Sequence, residues 1–126
     1  MGMTIEQWSI DANDPVVVAR WWAEVMRWQF VEPSAEDLAD PLGPEEVWIH
    51  TPGDDTEGWL FVRVPEAKSI KNRIHVDLRP DDQDAEVERA IGMGATRVDV
   101  GQGDVSWVVL ADPFGNEFCI LSSRKA

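Results

Sequence analysis

Apolar and polar positions alternate along short stretches of the chain, broken twice by segments of helical period. From Thr4 to Asp11, Glu6, Trp8 and Ile10 fall on one side and Ile5, Gln7, Ser9 and Asp11 on the other, the period-two pattern of a strand. Asp14-Pro15 then predicts a helix start, because aspartate accepts from free amides and proline needs no donor at the first helical position. Val18, Trp21, Trp22, Val25 and Met26 follow at helical spacing as one apolar stripe. Trp28 to Glu32 reads as a short strand, and the proline- and carboxylate-rich stretch from Pro33 to Glu46 as a loop. Glu46 to His50 and Trp59 to Val64 read as two strands, with a Pro-Gly-Asp-Asp turn following Thr51.

The pattern then restarts. Arg73 to Leu78 predicts a strand with Arg73, His75 and Asp77 on one face and Ile74, Val76 and Leu78 on the other, the second face suited to burial. Asp82 is placed to cap a helix carrying Val87, Ala90 and Ile91 that ends near Gly92 or Gly94. Arg97 to Val100 reads as a strand. Ser106 to Ala111 and Glu117 to Leu121 read as a hairpin around Asp112-Pro113-Phe114-Gly115-Asn116. Each half is thus strand, helix, strand, strand, strand, a repeat carried by pattern rather than by identical residues. Superposing Gln7 on His75 also superposes Asp14 on Asp82, an offset of 68; superposing Gly58 on Gly115 brings Leu60 onto Glu117, an offset of 57. The surplus of 11 in the first half belongs in the Pro33 to Glu46 loop. The expected organisation is one α+β domain of two βαβββ modules, at about 4–64 and 73–122, joined by a linker at about 65–72.

Composition narrows the function. The chain has 126 residues, enough for one domain with a real core. Eleven basic against 24 acidic side chains give a formal charge of −13, which argues against nucleic acid and anionic membrane as partners. The charge concentrates in the Glu32 to Glu46 loop and the Asp81 to Glu88 helix, consistent with an outer, solvated shell. A single cysteine, Cys119, excludes a disulfide framework and a thiolate zinc cluster. The first twenty residues hold Glu6, Asp11 and Asp14 with no unbroken apolar run, so no secretory leader is expected, and no stretch approaches a membrane span. The expected location is cytoplasmic.

If the two half-sheets curl together with the helices outside, their half-polar faces enclose a cavity with a few placed polar groups, the usual form of a small-molecule site. Gln7, His75 and Glu117 are the candidate polar groups. Glu117 stands out because the next four residues, Phe118 to Leu121, are apolar. Arg73 is a candidate partner of Glu117 or of an anionic ligand. Seven tryptophans stand against no tyrosine. Trp21 and Trp22 belong to the first helix and Trp8 to the helix-facing side, while Trp48, Trp59 and Trp107 lie on strands that would wall the cavity and suit a planar or apolar ligand. Cys119 shares strand parity with Glu117, although buried cysteine is usually inert filling.

The segment Trp107 to Leu121, containing Asp112-Pro-Phe-Gly-Asn-Glu-Phe118, resembles the closing hairpin of the vicinal oxygen chelate superfamily, which includes glyoxalase I, extradiol dioxygenases, fosfomycin-modifying enzymes and bleomycin-resistance proteins. Lys71 to Leu78 resembles the strand opening the second module, Asp14-Pro15 and Ala19 to Val25 the first helix, and Gly94-Ala-Thr96 the turn after the second. The resemblance spans residues 4 to 122. It implies a curved, partly closed mixed sheet around the cavity, and a homodimer. It also implies a divalent metal (zinc, nickel, manganese or iron) held at positions that here are Gln7, Leu60, His75 and Glu117. Leu60 cannot coordinate, which leaves Gln7, His75 and Glu117 as ligands.

Two functions follow from the resemblance. One is a metal-dependent lyase or isomerase acting on a carbonyl or vicinal-oxygen substrate, in which the ion polarises an oxygen and Glu117 takes a proton from the adjacent carbon. The other is a metal-free, drug-sequestering protein of the bleomycin-resistance kind, whose tryptophans grip the ligand. In both, Trp48, Trp59, Trp107, Arg73 and Leu60 are the residues expected against the small molecule.

Overall fold

The computed structural model describes residues 2–125, as two compact units, Met1–Ala67 and Lys68–Ala126. In the first, β1 (Trp8–Ala12) leads into α1 (Pro15–Met26), followed by β2 (Gln29–Phe30), the short α2 (Ala35–Ala39), β3 (Glu46–Thr51) and β4 (Asp54–Arg63). The second holds β5 (Asp77–Leu78), α3 (Gln83–Gly92), β6 (Thr96–Arg97), β7 (Val108–Ala111) and β8 (Glu117–Ile120). The fold is α+β. Each unit has one four-stranded mixed sheet, ordered β1-β4-β3-β2 in the first and β5-β8-β7-β6 in the second. In both, the strand before the helix pairs in parallel with the last strand, and the other pairs are antiparallel.

The two long helices begin as their sequences dictate. Asp14 accepts from the Val17 amide at 3.3 Å with Pro15 next, and Asp82 accepts from the Ala85 amide at 3.1 Å. Each aspartate satisfies one of the amides that a helix start leaves unpaired. The first helix ends on Arg27, a non-glycine residue at φ 57°. The loop expected from Pro33 to Glu46 contains one further turn of helix, α2, capped by Ser34, which accepts from the Asp37 amide at 3.1 Å. Some strands are shorter than their patterns: β1 starts at Trp8 rather than Thr4, and β5 is two residues rather than six, whereas β4 is longer, starting at Asp54 rather than Trp59. Just before β5, the Val76 carbonyl accepts from the Cys119 amide and extends the ladder by one bond. Ile74, expected on a buried face, is 72% exposed because no neighbouring strand reaches that far.

The core of the first unit lies between α1 and its sheet. Val18, Ala19, Trp22 and Val25 of α1 are buried, as are Val47, Ile49, Trp59 and Phe61 of β3 and β4. In the second unit Val87 and Ala90 of α3 are buried, together with Leu110, Phe118 and Ile120. The β7–β8 turn is held by Asp112, 3% exposed, which accepts from the Phe114 amide at 2.9 Å and the Asn116 amide at 2.8 Å. Its other oxygen takes the Asn116 side-chain amide at 3.0 Å.

The ladders change the register between the halves. The matching helix caps fix the offset at 68 for the leading strands, so Ser9 corresponds to Asp77. Ser9 pairs with Leu60, and Asp77 pairs with Cys119. Leu60 is therefore the counterpart of Cys119, an offset of 59, and the counterpart of Glu117 is Gly58. The superposition of Leu60 on Glu117 is wrong by two residues, because Gly115 lies in the turn two residues ahead of β8 whereas Gly58 lies within β4.

Candidate functional site

The site is built on the face of the second sheet opposite α3. Side chains alternate along a strand, so Glu117, Cys119 and Leu121 point away from buried Phe118 and Ile120. Cross-strand pairing extends that face as a row: Asp77 lies beside Cys119, and Cys119 beside Val109. A cavity of about 410 Å³ opens on the row, within the range of small-molecule sites. Its apolar wall includes Val100, Trp107, Val109 and Leu121. The polar end presents Lys71, His75, Asp77, Gln102 and Glu117, with Cys119 between the two.

Glu117 is 11% exposed on its side chain and fully engaged. Lys68 Nζ donates to its two oxygens at 2.8 and 3.2 Å, and the Asn72 amide donates to Oε1 at 2.9 Å. Asn72 Nδ2 also donates to the Glu117 backbone carbonyl, and Lys68 to the carbonyl of Ile70. Desolvation works to raise the carboxyl, but the Lys68 hydrogen bond, the Asn72 amide and the Lys68 charge together hold it below its ordinary 4.5. A depressed carboxyl contributes stability that is present above the ordinary value and lost as pH falls through the lowered one. Lys68→Met removes that contribution. Urea unfolding of wild type and variant should therefore differ at neutral pH, and the difference should shrink at about pH 3.

His75 and Asp77, two residues apart, pair at 3.2 Å between Nδ1 and Oδ1, both half-exposed. Cys119 is buried beside them. Desolvation first, then the charge and hydrogen bonding of Asp77, push its thiol above the usual cysteine value, outweighing Lys71. Donor atoms of His75, Asp77 and Cys119 all lie within 4.8 Å of one another.

The sequence-derived candidates divide between the units. His75, Glu117 and Trp107 line the cavity of the second unit. Gln7 belongs to the first unit, exposed and just ahead of β1, and Leu60 sits in β4 beside Ser9 and Trp48. Trp48 shares the face of Leu60, opposite α1, and its indole donates to the Asp55 carbonyl at 3.1 Å. Trp59 is absent from the lining of the second unit's cavity. It is 9% exposed, with ring centroids 5.4 Å from Trp22 and 5.1 Å from Trp28, on the helix side. Adjacent strand residues point to opposite faces, so Leu60 and Trp59 cannot both face a ligand. Arg73 is exposed and absent from the cavity lining; the cation on Glu117 is Lys68. Lys68 escaped sequence reading because a linker lysine carries no local pattern.

A glyoxalase-like domain model matches residues 7–121. The chain belongs to the glyoxalase-like domain family. That family lies within the vicinal oxygen chelate superfamily. No curated protein matches the chain. Among solved structures, this glyoxalase-like chain is similar to the fosfomycin resistance protein FosX from Mesorhizobium loti at 14% identity and TM-score 0.69, covering 98% of this chain and 94% of that one. It is similar to TnmS3, an antibiotic binding protein from Streptomyces sp. CB03234, at 17% identity and TM-score 0.63, covering 98% and 99%. FosX from Listeria monocytogenes, solved with Mn(II) and sulfate, matches at 11% identity and TM-score 0.65, covering 98% and 93%. At these identities the likeness carries the fold, not the chemistry.

The donors of this glyoxalase-like chain fit the superfamily's ion poorly. Leu60 has no ligand atom, and neither does Gly58, the ladder counterpart of Glu117. The Glu117 carboxylate is already taken up by Lys68, whose ammonium supplies the positive charge an ion would bring. No helix among the described residues is long and apolar enough to cross a membrane.

Proposed function

We propose that this glyoxalase-like protein binds a small, largely planar and apolar molecule in the cavity of its second unit, and that binding rather than metal-assisted turnover is its activity. The Lys68–Glu117–Asn72 arrangement carries the reading: the carboxylate that the superfamily resemblance makes both base and ligand is satisfied within the protein. Trp107, 40% exposed on the cavity wall, supplies the aromatic surface for a ligand, and Val100, Val109 and Leu121 the apolar surround. Lys71, His75 and Gln102 orient polar groups on the ligand's edge. A lyase or isomerase using Gln7, His75 and Glu117 as ligands, with Glu117 as base, has less support, since Glu117 would first have to give up Lys68.

Calorimetric titration of the chelator-treated protein with a panel of planar aromatic compounds tests this. A binder identified by wild type should lose about 10- to 30-fold in affinity with Trp107→Ala, the cost of truncating a buried aromatic anchor. Panel-wide absence of binding, or equal affinity in the variant, would count against the reading. We further propose a cytoplasmic homodimer. Ile5 and Trp8 of the first unit are 75% and 50% exposed and offer apolar area to an interface. Light scattering after gel filtration should give twice the monomer mass of 14.2 kDa; a monomer at micromolar concentration would exclude it.

A further inference from the structure

We propose that His75, Asp77 and Cys119 form a binding site for one zinc-class divalent ion at the polar end of the cavity. This set shares His75 with the Gln7, Leu60, His75 and Glu117 positions that the superfamily resemblance assigns, but takes its other two donors from Asp77 and Cys119. Three donors of different chemistry converge there, Asp77 and Cys119 from two paired strands and His75 from the chain just ahead of β5. His75 and Asp77 come from one edge, with Nδ1 and Oδ1 already 3.2 Å apart. Cys119 faces Asp77 directly as its ladder partner. All three donor atoms lie within 4.8 Å. Tetrahedral zinc with one sulfur, one nitrogen and one oxygen at its usual bond lengths needs donor separations of about 3.3–3.8 Å. The largest gap must therefore close by about 1 Å, a side-chain adjustment for two half-exposed groups.

The choice of ion follows from the donors. A thiolate, an imidazole and a carboxylate together suit a borderline-soft ion, whereas manganese favours oxygen donors and sits lowest in the divalent series. Cavity room next to all three leaves a fourth position for water or for an oxygen of the bound molecule, the arrangement of open zinc sites. The ion takes the place of the Cys119 proton, which passes to solvent, so no oxidant or reductant is involved. The repeat does not duplicate the site: Ser9 and Leu60 occupy the places in the first unit that correspond to Asp77 and Cys119.

The test uses the purified chain, stripped with chelator and titrated anaerobically with Co(II), Zn(II) and Mn(II). One Co(II) per chain should bind, with a near-ultraviolet sulfur-to-cobalt charge-transfer band, and Zn(II) should displace it while Mn(II) does not. Cys119→Ser should abolish the band and weaken Zn(II) more than about 10-fold. Asp77→Asn should keep the band and lose affinity. Gln7→Ala should change neither. Should Cys119→Ser fail to fold, Asp77→Asn decides, because that side chain is half-exposed and its replacement is tolerated. A wild-type spectrum without the band, a band surviving Cys119→Ser, Zn(II) affinity unchanged by Asp77→Asn, or affinity lost with Gln7→Ala would each overturn the site. These readouts are independent of Trp107 and the organic ligand.

Discussion

Trp59→Ala lowers the stability of the first unit by about 3–5 kcal/mol, the range for deleting a buried aromatic from a core. The ring makes edge-to-face contacts with both Trp22 and Trp28, at interplanar angles of 66° and 63°. Such pairs add to the area term. Urea unfolding followed by far-ultraviolet circular dichroism gives the number. Under conditions where the variant is still folded, ligand affinity in the second unit's cavity should be unchanged. A stable Trp59→Ala protein with weakened ligand binding would place Trp59 against the ligand rather than in the helix-side core.

Gly58→Ala has the second-largest effect, about 3 kcal/mol of lost stability. A Cβ at this position would lie 2.0 Å from the Ile49 carbonyl oxygen and 2.8 Å from the His50 Cα. Both are backbone atoms of the paired strand, so no rotamer change relieves the contact, and β3 has to move. The consequence reaches the site. Gly58 is the ladder counterpart of Glu117, so packing forbids a side chain, and hence a ligand donor, where the first unit would mirror that carboxylate. A thermal unfolding midpoint equal to wild type would show that β3 yields more easily than its pairing implies.

Local chemistry made the fold legible. Asp14-Pro15 and Asp82 announce both long helices, and Asp112 to Asn116 announces the last turn, because each signal acts within four residues. The strand–helix–strand–strand–strand repeat followed from hydrophobic period alone. Strand ends were less legible. Arg73 to Ile74 alternates like a strand, yet with no partner beyond Val76 it stays outside the ladder and Ile74 faces water. Parity would have removed Trp59 from the ligand wall, since its neighbour Leu60 was already assigned there.

The candidate site was legible only in part, for a physical reason. His75 and Glu117 were flagged as polar residues among apolar neighbours, and both line the cavity. Their partners are set by tertiary register. Lys68 reaches Glu117 across 49 residues of chain, and Asp77 meets Cys119 across a parallel pairing that no short-range pattern encodes. Cys119 shared parity with Glu117 from the outset. What sequence could not supply was the parallel β5–β8 register that sets it beside Asp77 rather than leaving it as core filling.

The central claim, that ligand binding belongs to the second unit's cavity and does not need the superfamily's chelate, is tested most directly by amide and indole chemical-shift mapping. The chelator-treated, isotopically labelled protein is titrated with its best-binding planar compound. The account predicts shifts confined to the Trp107 indole and to the amides of Val100, Val109, Cys119 and Leu121, with the Trp59 indole unmoved. Shifts centred on Gln7, Trp48 and Leu60, or binding that emerges only when a divalent ion is restored and disappears with Gln7→Ala, would contradict it.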